Sequence, residues 1–391
     1  MARKRIVYLS QGDNIHDLRI LGYLRTIYHN EEIILLANGF FSEIEFKSYR
    51  DMRIKIKFIA TSVRLKNKLS KSALRQFISL ISYTYQVKFL QPNLVVSSQI
   101  LPWGFYAAIM NVRPHILFVW GSDIMVYPRK NIIFKFLTQF TLRKTQMIIV
   151  DSIIAKNEVN LLLNKHSSQE NTQYPILLWL WSADFLKNIF YNEDIRNKYR
   201  DTLGWNDKFI IFSNRWLDPI YNVDKLISII PHAIKINPNL RFLIINNGIY
   251  KEKMELFISN AHMNEYVKFM GRLKSHQEMI NYLCASDACI SISDTDTTAT
   301  SVLEAVINLV PCILSDIPGN NVIIHHKETG LLINQKNKSE IRNAIIELSQ
   351  NKDLWKKIRT KYKIQLDPWI RKNADIELFI NALKQIKSLF S

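Results

Sequence analysis

Two carboxylates eight positions apart, Asp296 and Glu304, bracket a run of hydroxyl side chains in the segment DTTATSVLEAV. Thr297, Thr298, Thr300 and Ser301 lead into Val-Leu-Glu-Ala-Val, a helical pattern that Thr300 or Ser301 can cap. The first amides of such a helix have no partner within it, and they carry the positive end of its dipole. A phosphate therefore suits this point of the chain. Glu304, one turn further in, is placed to accept hydrogen bonds from a ribose. Asp296 lies on the other side, where a sugar can sit. The chemistry these types and spacings suit is the holding of a phosphate with sugar hydroxyls on either side.

Such residues need a frame. The apolar run ACISIS (288–293) ends where the polar loop begins, and 311–314 supplies the next strand. The same alternation runs through the chain. Strands are expected at 5–10, 32–37, 53–59, 93–97, 116–120 and 147–150, with helices at 16–29 and 64–90. A second series is expected at 209–213, 242–246, 267–270, 288–293 and 311–314. Alternating strands and helices imply parallel sheets covered on both faces. With 391 residues the chain exceeds one ordinary core. Two α/β domains are expected, 1–175 and 176–371, with a crossover near 175–205 and a last helix, about 372–391, packing back on the first half.

The stretch 291–331 resembles the donor-site signature of retaining glycosyltransferases of the GT-B fold, family four. That signature has an acidic residue, seven positions, Glu and Ala, then a Pro-led strand and Gly-Asn before the next helix. Matching residues are Asp296, Glu304, Ala305, Pro311, Cys312, Ile313, Gly319, Asn320 and the turn Glu328-Thr329-Gly330-Leu331. The resemblance implies two Rossmann-like doubly wound domains facing across a cleft. It also implies transfer of a sugar from a nucleotide-sugar donor, with retention and without a metal ion. The catalytic pair would be Asp296 and Arg215. Arg215, in SNRWLDPIYNVDK, matches the family arginine that holds the donor diphosphate; the lysine expected soon after it is missing. Tyr221 or Asn222 stands near its place, and Lys225 and Lys327 are candidate substitutes.

Donor contacts are implied at Glu304, at Thr300, Ser301, Val302 and Leu303, and at Gly248 in the loop after 242–246. They extend to Arg272 and Leu273 in FMGRL, where the backbone meets the nucleobase, and to Gly319 and Asn320. On the acceptor or sugar side, His16 and Arg19 fall just after the first strand, where ligands of α/β sheets gather. Trp120 stands where many members carry His, and Gly121, Ser122 and Asp123 match a Gly-x-Asp loop. Ser182, Asp184 and Phe190 approach the family's linker pattern. The co-substrate implied is a UDP-sugar first and a GDP-sugar second, with no other cofactor.

Charge is uneven: of the net +18, residues 1–175 hold +13, from 24 Lys and Arg against 11 Asp and Glu. Two basic amphipathic stretches, 64–88 and 129–144, account for much of it. A solvated helix face explains them, and so does attraction to an anionic membrane surface or a lipid diphosphate acceptor. No groove-reading module appears, so nucleic acid is not an expected partner. No stretch approaches the roughly 18 apolar residues of a spanning helix, and the apolar run in MARKRIVYLS is too short for a signal peptide. Cys284, Cys289 and Cys312 have no metal spacing and suit reduced core thiols in a cytoplasmic protein, peripheral on the membrane if the basic face binds it. The function expected is synthesis of a bacterial surface polysaccharide or glycolipid, on a saccharide or lipid-linked acceptor. A catalytically silent partner subunit and a sugar-nucleotide epimerase are the rivals.

Overall fold

A computed structural model describes residues 4–13, 15–39, 41, 43–59, 73–163, 176–179, 191–297 and 299–390. The chain divides into two compact units, Met1–Ser182 with Asn373–Ser391, and Ala183–Lys372. Each is built on one parallel sheet.

The first unit has seven strands: β1 (Arg5–Ser10), β2 (Glu32–Ala37), β3 (Lys55–Phe58), β4 (Leu94–Ser98), β5 (His115–Val119), β6 (Met147–Val150) and β7 (Ile176–Leu178). Their order is β3-β2-β1-β4-β5-β6-β7. Runs such as Ile-Val-Tyr-Leu and Ile-Leu-Phe-Val are apolar on both sides, as strands covered on two faces must be. Ile6, Tyr8, Leu35 and Phe118 meet Leu21 and Leu24 of the helix Ile15–Ile27. Val7, Leu9 and Ile34 point the other way, onto Tyr83 and Val87 of the helix Ala73–Leu90.

The last helix, Ile376–Phe390, belongs to this first unit. Phe379 stacks on Trp179 with ring centroids 4.9 Å apart, and Trp179 Nε1 donates to the Ala374 carbonyl at 3.2 Å. Both side chains are fully buried, and each such burial stabilises by about 1.5–3 kcal/mol.

The second unit has β8 (Phe209–Ser213), β9 (Leu240–Ile245), β10 (Val267–Gly271), β11 (Ala288–Ser291), β12 (Cys312–Ser315) and β13 (Leu331–Ile333). Their order is β10-β9-β8-β11-β12-β13, so chain direction across the sheet reverses between β8 and β11. Loops leaving the carboxyl ends of those two strands part there and form the crevice where ligands of such sheets bind.

Some expectations are corrected. The amphipathic stretch 129–144 is not one helix. Asn131 breaks it, capping Ile132–Lys144 by accepting from the Phe134 amide at 3.0 Å. The strands β7 and β13, three residues each, are too short to show a period. Residues 64–72 of the basic stretch, and Ser182, Asp184, Phe190 and Thr298, lie outside the described residues. The three cysteines are free thiols, all buried.

Candidate functional site

Arg215 leaves the end of β8 and turns into the loop after β11. Its Nη2 donates to Asp296 Oδ2 at 2.8 Å and its Nη1 to Ser301 Oγ at 3.3 Å. The guanidinium lies over the Tyr221 ring, 4.5 Å from its centroid, which supplies a cation–π contact where the lysine is missing. Its Nε is buried with no partner among the described residues. A mostly buried fork with a donor to spare is a ready anion ligand.

Neighbouring loops hold this group in place. Asn222, at φ 54°, donates through Nδ2 to the Ile292 carbonyl at 2.9 Å and to Asp294 Oδ1 at 2.7 Å. Asp294 N donates back to the Ile220 carbonyl at 2.9 Å. Gly319 lies so close to the Asp296 backbone that a Cβ there would sit 2.1 Å from the Asp296 carbonyl oxygen. Only glycine permits that approach. Asn320, buried, donates to the Ser315 carbonyl at 2.8 Å, and Ser315 Oγ donates to the Ser293 carbonyl at 2.7 Å. Gly319 and Asn320 thus shape the Asp296 loop from beneath. Gly248 has the same role against Leu217, whose backbone a Cβ would meet at 2.5 Å. Arg272 is exposed and Leu273 half-buried in the loop after β10.

The helix after this loop is Thr300–Ile307, and neither Thr300 nor Ser301 caps it. The cap is Ala299, which offers no side-chain oxygen. The Val302 and Leu303 amides donate back to the Ala299 carbonyl at 2.9 and 3.3 Å. Among the described residues this leaves the Thr300 and Ser301 amides as the open donors, two rather than the four expected at 300–303. Glu304, at 3% exposure, accepts from His276 Nε2 at 2.8 Å. His276 is the first residue of the helix His276–Ala285, behind the capping Ser275. No spacing in the sequence links it to Glu304, 28 positions on. Lys327 pairs with Glu347 at 2.6 Å and is engaged elsewhere in its unit. Lys225 is half-buried on the helix Val223–Ile236. Among the described residues no three His, Cys, Asp or Glu side chains converge as metal ligands would.

In the first unit the start of the helix Ile15–Ile27 meets the residue that follows β5. The His16 ring stands edge-on to Trp120, centroids 4.8 Å apart. Burial, then the nearby Arg19 charge, lowers the His16 pKa to about 4, so its imidazole is neutral at ordinary pH. Asp17, which no motif in the sequence marks, is fully buried. It accepts from Tyr8 Oη at 2.7 Å, from the Gly12 amide at 3.0 Å and from Ser10 Oγ, which fixes the course of the loop. Asp123, expected on the sugar side, is buried. Its Oδ2 accepts from the Trp120 and Ile100 amides at 3.0 and 3.2 Å, tying the loops after β4 and β5 together. Gly121 begins the short helix Gly121–Met125 that carries it.

Burial raises the Asp123 carboxyl from 3.8 to about 7, against the opposing pull of those two amides. Its folded pKa lies above the unfolded value. The stability it contributes is therefore fully present below about pH 4, declines as pH rises, and is gone above about 7. Asp123→Asn keeps the acceptor and removes the ionisation. Its melting temperature is expected to gain on the parent's between about pH 5 and pH 8. Parallel pH profiles for the two proteins would remove Asp123 as the titrating group.

Residues 195–365 match the family model described as glycosyl transferases group 1, and residues 5–152 match that of glycosyl transferase 4-like proteins. One curated relative is the UDP-N-acetylglucosamine–peptide N-acetylglucosaminyltransferase GtfA subunit of Streptococcus agalactiae. It is 28% identical over 37% of this chain and 29% of its own length. Another is the alpha-monoglucosyldiacylglycerol synthase of Acholeplasma laidlawii, 22% identical over 48% of this chain and 46% of its own. The chain thus spans less than half the length of either relative. Among solved structures, HepE of Anabaena in complex with UDP superposes with a TM-score of 0.73 at 13% identity, over 99% of both chains. The pneumococcal O-GlcNAc transferase GtfA, in complex with UDP and GlcNAc, also has a TM-score of 0.73, at 11% identity over both full lengths. The second unit thus matches the group 1 glycosyl transferases and the first the glycosyl transferase 4-like proteins, and the fold is that of GT-B glycosyltransferases.

Proposed function

We propose that this chain moves a sugar from a UDP-sugar to a saccharide or lipid-linked hydroxyl, with retention at the anomeric carbon and without a metal ion. The observation that carries this reading is the convergence of Arg215, Asp296 and Ser301 at the start of the helix Thr300–Ile307. As the bond from the anomeric carbon to phosphate breaks, negative charge gathers on the departing diphosphate. Arg215 and the Thr300 and Ser301 amides are set to meet it, without having to reorganise as the charge develops. Asp296 takes the sugar's hydroxyls, Glu304 the ribose, and the backbone of Gly271, Arg272 and Leu273 the base. The acceptor hydroxyl, assigned to the first unit beside His16, Arg19 and Trp120, attacks on the face from which the diphosphate departs. Its proton passes to a phosphate oxygen. The solved relatives whose names record UDP, with glucose or GlcNAc, support UDP as the nucleotide.

The test is incubation with a panel of UDP-sugars plus saccharides or lipid extracts, with a chelator present. Products would be identified by mass spectrometry and the anomeric configuration read by NMR. An inverted product sinks retention; loss of activity with the chelator sinks metal independence; no transfer in any combination sinks the assignment.

A lipid-linked acceptor, and synthesis of a surface glycolipid or polysaccharide at the inner face of a membrane, are favoured by two helices of the first unit. Phe77, Ile81, Tyr85 and Phe89 recur at every fourth position of Ala73–Leu90, each more than half exposed. Ile132, Ile133 and Phe136 are exposed to a similar degree at the start of Ile132–Lys144. Among the described residues no helix is long and apolar enough to cross a membrane, so contact through these helices would be peripheral. Charge and exposed rings together fit an anionic bilayer. Sedimentation with anionic vesicles is expected at low salt, and release at about 0.5 M, where screening shortens electrostatic reach to a few Å. Phe77→Ser with Tyr85→Ser should weaken it at any salt. Sedimentation indifferent to both salt and these substitutions would refute the membrane assignment.

A further inference from the structure

If Glu304 is the acceptor for ribose hydroxyls, its carboxylate must be held in one orientation before the nucleotide arrives. Nothing on its own helix does this. Its backbone is secured: the Glu304 carbonyl accepts from the Asn308 amide at 3.1 Å and from Asn308 Nδ2 at 2.8 Å. The Cys284 thiol donates to Asn308 Oδ1 at 3.1 Å, linking the helix to its neighbour His276–Ala285. At the other end of that neighbour, Ser275 caps by accepting from the Glu278 amide at 3.1 Å, and Glu278 Oε2 accepts from the Lys274 amide at 3.1 Å. The first helical side chain there is His276, whose Nε2 lies 2.8 Å from Glu304 Oε1.

An ionised carboxylate only accepts, so the proton in this bond is on His276 Nε2. Among the described residues no other side chain donates a hydrogen bond to the Glu304 carboxylate. The His276 side chain is 33% exposed and that of Glu304 is 5% exposed. The histidine therefore stands between solvent and a nearly enclosed acid, four residues beyond Arg272 in the loop assigned to the base.

We infer that His276 is a positioning residue for nucleotide recognition: its Nε2–H fixes Glu304 Oε1 so that the remaining lone pairs of the carboxylate face the ribose hydroxyls. The inference rests on the proposed UDP-sugar site and adds a residue to it. Two bonded side chains on two rigid, cross-linked helices hold an acceptor more steadily than one free carboxylate does.

The experiment compares UDP with its 2′,3′-dideoxy analogue by calorimetric titration of the full chain. The wild type is expected to prefer UDP strongly; equal affinities would overturn the ribose assignment of Glu304 itself, before any variant is consulted. His276→Phe keeps a ring of similar size without the donor, and His276→Gln keeps a donor. For His276→Phe, UDP affinity is expected to fall about tenfold, the scale of one hydrogen bond to a charged group. Affinity for the dideoxy analogue should barely change, so the preference for UDP shrinks by about tenfold. His276→Gln should restore most of it. Equal losses for both nucleotides in His276→Phe would show a general structural role and overturn the inference. So would unchanged discrimination, or a His276→Gln variant no better than His276→Phe.

Discussion

Arg215→Ala is expected to lower turnover by about 10²–10³-fold, the usual effect of removing one preorganised donor from developing charge, while donor dissociation changes much less. In the ground state the diphosphate charge is spread and partly solvated. As the glycosidic bond lengthens it concentrates on the oxygen that leaves, and an interaction that strengthens along this path acts on kcat rather than on KM. Arg215 suits that role because it is mostly buried, backed by Tyr221, and carries an Nε with no partner among the described residues. Arg215→Lys keeps the charge but cannot span Asp296 and Ser301 together, so an intermediate loss is expected. Steady-state kinetics at saturating acceptor separate the cases. A variant with weakened donor binding and undiminished kcat would remove Arg215 from the departing phosphate.

Glu304→Ala is expected to weaken UDP binding by about 2–3 kcal/mol, or roughly 30- to 150-fold. A buried acceptor is lost, and ribose hydroxyls would be left without a partner in a site closed to water. Glu304 is suited to this because its helix is buried throughout, Ser301 to Ile307, and because its carboxylate already accepts from His276. Glu304→Gln, which keeps the shape and one acceptor oxygen, should lose far less and serves as the folding control. Calorimetric titration of both variants with UDP is the measurement. An affinity unchanged in Glu304→Ala would place the ribose elsewhere.

Much of the frame was legible in the sequence, for a local reason. Buried parallel strands are apolar on both faces, so runs such as 5–10, 32–37, 147–150 and 209–213 announce themselves with bounds that match β1, β2, β6 and β8. The Asp296–Glu304 segment was visible because carboxylates, hydroxyls and a helical pattern stand close together along the chain. What escaped is non-local or too short. The Arg215–Asp296 pair joins residues 81 apart, and no spacing predicts that a carboxylate expected on a sugar hydroxyl holds the arginine. Lys327 reads as available from the sequence, whereas Glu347, on another element, stands beside it. Capping was misplaced by one or two residues because both hydroxyls could cap, whereas the chain enters the helix at Ala299. Asn131 hid inside a continuous amphipathic run whose first two residues end one short helix and whose remainder forms the next.

The Arg215–Asp296 contact has a bearing on what the site ignores. With Arg215 already matched by an acid, the resting crevice is nearly neutral at that point, and a stray orthophosphate gains little by displacing a carboxylate at 2.8 Å. A visitor that brings two bridged phosphates for the guanidinium and sugar hydroxyls for the released aspartate satisfies both ends of the broken pair together. On the proposed reading the pocket thereby screens its callers, with small anions gaining little there and an activated sugar gaining at both ends.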